Sequence, residues 1–216
     1  MKHINYTKTE ELANTITHAL GILIGAIAGY ILLSKAIDGG SYWAIISLIA
    51  YLFGMLSSYI TSTCYHACTD DTRKAMLRKF DHSAIYLHIA GTYVPFTLIT
   101  LRQEGAWGWS LFSFTCLAAI AGSYVSFHKL KKHSYLETIC FVVMGGSMLI
   151  AFKPLSSVLS SSGQIDALYY LIAGGISYIV GAIFYSFKNI RYMHTVFHLF
   201  VLGGSICHMI AIYKIL

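Results

Sequence analysis

Charged side chains are scarce in this chain, where Asp, Glu, Lys and Arg together make up 11% of the 216 residues. Soluble domains carry about 25% charged residues, and a surface much poorer in charge does not keep a protein dissolved. Proline is scarce too, with two residues in all, so long helices can run unbroken. These shortages exclude a soluble globular enzyme, a disordered protein and a fibrous repeat protein.

Hydrophobic residues account for 56% of the chain and lie in seven long runs. A helix needs about 20 apolar residues to cross a bilayer, so the runs predict an all-α integral membrane protein. We expect residues 1–216 to form a single membrane domain of seven transmembrane helices, and the Ser-rich stretch Ser156 to Ser162 to be a loop. The predicted spans are 16–35, 42–66, 82–100, 107–127, 135–152, 167–187 and 194–213.

The basic residues that give the formal net charge of +6 lie in short clusters between these runs. This placement is typical of membrane topology, and we expect no nucleic-acid partner. With seven spans, one side of the membrane holds most of the Lys and Arg, which predicts a cytoplasmic N-terminus and a C-terminus outside. The richer side holds Lys2, Lys8, Arg73, Lys74, Arg78, Lys79, Lys129, Lys131, Lys132, Lys188 and Arg191, and the poorer side holds Lys35, Arg102, Lys153 and Lys214.

Glycines and cysteines of the apolar runs bear on helix packing and on disulfide formation, respectively. Gly21, Gly25 and Gly29 are spaced by four residues on the first span, which lets a neighbouring helix of the same chain approach closely. The five cysteines lie in or at the ends of apolar runs, so we expect free thiols and no disulfide framework.

Polar residues within the predicted spans are the strongest functional signal, because ionisable groups are costly in a membrane. Ser58, Ser62 and His66 are four residues apart, so they share one face of the second span. Cys64 and Cys68 stand about 200° round the helix from His66, which argues against a metal site that uses both cysteines and this histidine.

A second group of polar residues opens the third and seventh spans. Asp81 begins the third span, and His194 and His198 form an i, i+4 pair on the seventh, the spacing of helical zinc sites. The predicted topology brings His66 and these three residues to the cytoplasmic ends of their helices. Three histidine ligands leave the fourth coordination position of a zinc ion open for a water molecule. Zinc lowers the pKa of such a bound water to about 7, which makes it a nucleophile at neutral pH.

The other histidines carry weaker signals. His82 is predicted to face another helix or the membrane interface, because it points about 100° away from Asp81. His88 and His208 lie deeper by about two and three turns, where we interpret them as hydrogen bonds between helices, with cavity lining as the alternative. The remaining ones in polar segments, His3, His128 and His133, suggest no specific role.

Five motifs, spread from the first span to the last, resemble the hemolysin III family. That family belongs with the progestin and adiponectin receptor family and is distantly similar to the alkaline ceramidases. The motifs are Glu11-x-x-Asn14-x-x-x-His18-x-x-Gly21, Ser62-x-x-x-His66, Phe80-Asp81-His82-x-x-Ile85, Ala90-Gly91-Thr92-Tyr93-Val94-Pro95-Phe96, and His194-x-x-x-His198 followed by His208. Arg191 stands where many bacterial members have proline.

The resemblance implies a seven-helix fold in a bacterial plasma membrane, with its N-terminus inside and its metal site near the cytoplasmic face. It implies zinc (Zn2+) held by His66, His194 and His198. Asp81 would contact the water on the metal, and Ser62 would lie close to the site.

Three functions are compatible with these residues. The first is a zinc-dependent intramembrane hydrolase of an amide or ester bond in a membrane lipid, with Asp81 as base and then acid and Ser62 bonded to the oxyanion. Such a protein would act in membrane lipid homeostasis. The second is a receptor-like regulatory protein with a structural zinc that ties the second span to the seventh. The third is a pore-forming cytolysin, which the absence of a ring of like charges disfavours.

Overall fold

The computed structural model describes residues 6–129, 135–187 and 189–216, and within this part of the chain the regular structure is entirely helical. A π-helical segment, Phe96–Thr100, extends α3, and a 3-10 segment, Ser147–Ala151, joins α5 to α6. The basic residues Lys2, Lys131, Lys132 and Lys188 and the histidines His3 and His133 lie outside the described residues. The helices are α1 Lys8–Asp38, α2 Tyr42–Ala67, α3 Asp71–Pro95, α4 Trp107–Lys129, α5 Tyr135–Gly146, α6 Phe152–Ser161, α7 Ile165–Ser186 and α8 Met193–Ile215.

Two helices begin well before their apolar runs because polar caps start them. Thr7 caps α1 in a capping box, with its hydroxyl 3.2 Å from the Glu10 amide and its own amide 2.9 Å from the Glu10 carboxylate. Asp70 caps α3 by accepting the Arg73 amide at 2.8 Å. The cluster of basic residues from Arg73 to Lys79 therefore lies on the first turns of α3, and its expected place in a loop was wrong.

The expected loop at the Ser-rich stretch was also wrong, because α6 covers Ser156 to Ser161. Leu155 and Leu159 are four residues apart and fully buried, so one face of this short helix is anchored in the core. The serine hydroxyls stay within the helix: Ser156 donates to the carbonyl of Lys153 at 3.0 Å.

Six helical stretches of the described chain are long and apolar enough to cross a membrane, with residues 136–161 counted as one. The expected third span, now α3 with its π-helical extension, is not among them. Its mean hydropathy is lowered by the basic residues of its first turns and by Asp81, His82 and His88. The protein is thus an integral membrane protein, and its described part contains six candidate membrane spans together with α3, which is more polar than these.

The helices pack closely where glycines line their contacts. A Cβ at Gly25 or Gly29 of α1 would lie 2.8 or 2.9 Å from side chains of α2, and one at Gly21 would overlap the ring of Tyr59. The prediction that these glycines serve packing within the chain is confirmed. Gly54 of α2 meets the backbone of α3 at Leu87, which brings Ser62 and His66 close to α3.

Candidate metal centre

Three histidine side chains from two helices converge at one end of the bundle. His66 of α2 and His194 and His198 of α8 each offer a ring nitrogen, and these atoms all lie within 4.8 Å of one another. The Nε2 atoms of His66 and His194 are 3.2 Å apart. Two nitrogens bound to one tetrahedral zinc at 2.0–2.1 Å would be separated by about 3.3 Å. The donor set and its spacing therefore fit a zinc ion.

Glu11 of α1 fixes the orientation of the His66 ring. One oxygen of its carboxylate lies 2.6 Å from His66 Nδ1, and the other lies 2.8 Å from the Lys74 ammonium. A carboxylate can only accept, so Nδ1 carries the proton and Nε2 keeps its lone pair for a metal. Sequence patterns gave Glu11 no chemical role, because its partners come from α2 and α3.

Thr17 orients His198 in the same way. The Thr17 hydroxyl lies 2.9 Å from the carbonyl of Asn14 and 3.0 Å from that of Ala13, so its hydrogen is committed to the backbone. Its oxygen lies 3.2 Å from His198 Nδ1 and accepts the ring N–H. His198 is 1% exposed and presents Nε2 to the other two histidines.

Further contacts from α1 hold the start of α8. The Thr195 hydroxyl donates to the Asn14 side chain at 2.6 Å, and the backbone N–H of Tyr192 donates to the Glu10 carboxylate at 3.0 Å. Tyr192 has a φ of 61°, a left-handed conformation that turns the chain into α8. The first helix thus positions the last one, and with it the histidine pair.

Asp81 and Ser62 lie beside the histidines. Ser62 of α2 is 2% exposed, and its hydroxyl lies close to the Asp81 carboxylate of α3. Both residues line the same cavity as His194 and His198. The structure therefore brings together the five residues singled out in the sequence.

His82 reaches another helix, one of the two surroundings predicted for it. Its Nδ1 lies 3.2 Å from the carboxylate of Glu137 on α5. The same carboxylate accepts a very short hydrogen bond from Ser126 of α4. This group joins α3, α4 and α5 on the far side of the cavity.

Tyr6 covers the histidine triad at the start of the described chain. Its ring stacks on His194, with centroids 5.0 Å apart and planes inclined by 27°, and lies 6.0 Å from His66. Tyr6 directly precedes the cap of α1 at Thr7, so the helix start holds it in place. The ring forms a cover on the side of the site away from the bundle interior.

An elongated cavity of about 380 Å³ begins at this site. Ligand pockets in proteins typically span about 300–1,000 Å³. The lining is polar near Asp81, His194 and His198, and over most of its remaining length it consists of apolar side chains of α3, α5, α7 and α8. The shape and lining are those of a pocket for a molecule with one polar end and a long apolar part.

The wall of the cavity between α5 and α7 is open toward the outer surface. Leu149 and Ile176 line the cavity and are also exposed on the outside of the bundle. Gly146 and Gly175 line it too, and a Cβ added at either position would meet no atom within 4 Å. An apolar molecule at the outer surface of these helices can therefore reach the cavity from the side.

The cysteines take no part in this site. All five are free, and Cys64 is exposed on α2, away from the buried face that carries His66. The prediction of free thiols agrees with the structure.

Fold and site together define a class: helical integral membrane proteins with a histidine triad at one end of an internal cavity. Residues 6–209 match the family described as haemolysin-III related. The chain therefore belongs to this family. It is 41% identical over 200 residues to the "Hemolysin-3 homolog" of Bacillus subtilis (strain 168), covering 93% of this chain and 91% of that protein.

Two further relatives extend the comparison. The chain is 39% identical over 196 residues to "Hemolysin-3" of Bacillus cereus, covering 91% of this chain and 87% of that protein. It is 30% identical over 215 residues to "Monocyte to macrophage differentiation factor" of Homo sapiens, covering 96% and 84%. The human relative supports the link to the adiponectin receptor family that the motifs suggested.

Proposed function

We propose that this protein is a zinc-dependent hydrolase of amide or ester bonds in membrane lipids. The observation that carries the proposal is the continuity of the histidine triad with a largely apolar cavity that opens between α5 and α7. A lipid entering there can place its chain along the apolar wall and its carbonyl at the polar end. Zinc bound by His66, His194 and His198 would supply Lewis acidity that makes water a nucleophile at neutral pH.

Asp81 is the group we assign to proton transfer. Its carboxylate takes a proton from the attacking water as the oxygen bonds to the carbonyl carbon. The carbon–nitrogen or carbon–oxygen bond then breaks, and the same proton passes to the leaving amine or alcohol. The products are a fatty acid and the amine or alcohol part of the lipid.

Ser62 has two parts in this scheme. Its hydroxyl lies beside the Asp81 carboxylate and would help to orient it before the reaction. As negative charge develops on the carbonyl oxygen, the hydroxyl can turn to donate to it, which stabilises the transition state. Glu11 and Thr17 keep the rings of His66 and His198 fixed throughout, so little reorganisation accompanies the step.

We propose further that the six apolar helical stretches and α3 all cross a bacterial plasma membrane, which makes seven spans. The N-terminus and the histidine triad would then lie on the cytoplasmic side. The excess of Lys and Arg on the N-terminal side supports this orientation. Reporter fusions at the two termini test it. A reporter that functions only in the cytoplasm should be active at the N-terminus and inactive at the C-terminus, and the reverse pattern would contradict the orientation.

The test of hydrolysis uses purified protein in vesicles of phosphatidylethanolamine and phosphatidylglycerol that contain ceramide as an amide substrate. We expect zinc-loaded protein to release fatty acid, measured by mass spectrometry, and Asp81→Asn and His194→Ala to lower the rate by at least about a hundred-fold. The matched control is His128→Ala, an exposed residue of α4 outside the cavity. Equal release from wild type and both site variants would refute the proposal.

The same vesicles separate the other functions. If zinc only ties α2 to α8, its removal lowers the melting temperature and no lipid is turned over. If the protein forms pores, a dye trapped in the vesicles leaks when the protein is added. Release of fatty acid without leakage is the outcome expected here.

A further inference from the structure

The apolar part of the cavity contains two histidines that the proposed chemistry does not use. His88 of α3 and His208 of α8 line the cavity and are more than nine-tenths buried. Within the described chain, His88 Nε2 and His208 Nδ1 are buried and have no hydrogen-bond partner. A polar atom left unpaired in an apolar interior is costly, so these two nitrogens point to a polar group that belongs between the helices here.

Three tyrosine hydroxyls near this point are already satisfied. Tyr59 and Tyr178 both bond to the Ser205 hydroxyl, at 2.8 and 2.9 Å. The Tyr93 hydroxyl donates to α5 backbone carbonyls and accepts the Met148 amide at 2.8 Å. Hydrogen-bonding capacity that these tyrosines do not use therefore remains on the two histidine rings, at His88 Nε2 and His208 Nδ1.

The partners of His208 define which kind of group it can bind. Its Nε2 lies 3.2 Å from the carbonyl of Leu171, and a carbonyl only accepts, so Nε2 carries the hydrogen. In a neutral ring Nδ1 is then an acceptor and needs a donor opposite. A keto or ester oxygen cannot provide one, whereas a hydroxyl can donate to His208 and still accept from His88.

The position of this pair relative to the triad follows from helix geometry. Seven residues separate Asp81 from His88, which is about 10 Å along α3 at 1.5 Å per residue. Ten residues separate His198 from His208, which is about 15 Å along α8. A lipid with its carbonyl at the triad would therefore bring the middle of its acyl chain to the two rings.

We propose that His88 and His208 form a specificity site for a hydroxyl group in the middle of an acyl chain. The inference rests on the proposed function, because it assigns the chain to the same cavity and narrows the substrate class to lipids of hydroxylated acids. The hydroxyl fills a place in the apolar part of the cavity where an unsubstituted chain leaves His88 Nε2 and His208 Nδ1 unpaired.

Ricinoleic acid and oleic acid are the probes, because they differ by one hydroxyl in the middle of the same chain. Each is a product-like ligand whose carboxylate can reach the triad. Binding to the full-length protein in lipid nanodiscs is measured by competition with radiolabelled oleate. We expect ricinoleate to bind roughly five-fold more tightly, the worth of one hydrogen bond. His88→Leu and His208→Leu should bring the ratio close to one, and His88→Gln should preserve a preference.

The controls separate this inference from the proposed function. His128→Leu on α4 should leave the ratio unchanged. His194→Ala should weaken both acids equally if the carboxylate binds at the triad; if both affinities stay the same, the proposed function fails and the hydroxyl site stands. Equal affinity of wild type for both acids would mean that water alone occupies the site and would overturn the inference. A ricinoleate preference that persists in both leucine variants would also overturn the inference, as would the absence of binding of either acid. If the leucine variants fail to fold, the ratio of the two affinities in wild type is the deciding result.

Discussion

The two sides of the cavity are built in opposite ways. At the triad, side chains from α1, α2, α3 and α8 hold one another through short hydrogen bonds, such as the 2.6 Å contact between Glu11 and His66. At the wall between α5 and α7, the lining is apolar, exposed on its outer side and interrupted by glycines beside open space, as at Gly175. One side fixes side chains in place and the other leaves room for a molecule to pass.

Under the proposed function, the difference separates two tasks. Metal ligands must be held within a fraction of an ångström, which needs neighbours that fix each ring. Entry of a lipid needs a wall with few fixed contacts. Changes at the triad should therefore alter metal binding strongly, and equivalent changes at the α5–α7 wall should leave it unaltered.

The largest effect is expected from Glu11→Gln. The amide cannot hold His66 Nδ1–H as an ion does, so zinc affinity should fall about ten- to a hundred-fold while the helices stay folded. Competition with a fluorescent zinc chelator measures the affinity, and circular dichroism checks the fold. Glu137→Gln is the matched control, because this carboxylate pairs with His82 across the cavity and should leave zinc affinity unchanged. Equal affinities of the Glu11 variant and wild type would contradict the orienting role.

Next in size is the effect of adding one methyl group at a helix contact. Gly54→Ala forces a Cβ against the backbone of Leu87, which should cost about 1–3 kcal/mol and lower the melting temperature in detergent. Gly175→Ala adds the same methyl where no atom lies within 4 Å and should leave stability unchanged or slightly raised. Equal loss in both variants would show that the two regions are packed alike.

The smallest effect is expected from Tyr6→Ala. Loss of the stacked ring removes about 0.5–1.5 kcal/mol of contact with His194 and uncovers the triad. A water-soluble chelator should then remove zinc several-fold faster than from wild type. The rate of removal is measured from the absorbance of the zinc–chelator complex. Tyr6→Phe should behave like wild type, and Tyr30→Ala, an exposed residue of α1, is the control for unspecific loosening. An unchanged stripping rate in Tyr6→Ala would show that Tyr6 does not cover the site.

The triad could be predicted from the sequence because each member lies at the end of a long apolar run. Spacing places His194 and His198 on one face, and the apolar runs place His66 at the end of its helix. Glu11 and Thr17 could not be assigned roles in that way, since their partners come from helices distant in sequence. The cavity wall was equally hidden, because an open space beside Gly146 and Gly175 depends on how far apart whole helices stand.

Errors in the expected fold came from polar stretches. The start of α3 and the helix through Ser156 to Ser161 lie where composition favours loops. In both places a local feature overrides composition: the Asp70 cap for α3 and the buried pair Leu155 and Leu159 for α6. Apolar runs indicate which part of a helix can lie in a membrane, and caps decide where that helix begins.

The most direct test of the central claim is the zinc content of protein purified in detergent without chelators, measured by elemental analysis. Wild type, His66→Ala and His194→Ala are compared, because these two histidines lie on different helices and meet only in the folded bundle. The account predicts about one zinc per chain in wild type and none in either variant. A wild-type protein without zinc, or variants that retain it, would contradict the claim that α2 and α8 meet at a metal.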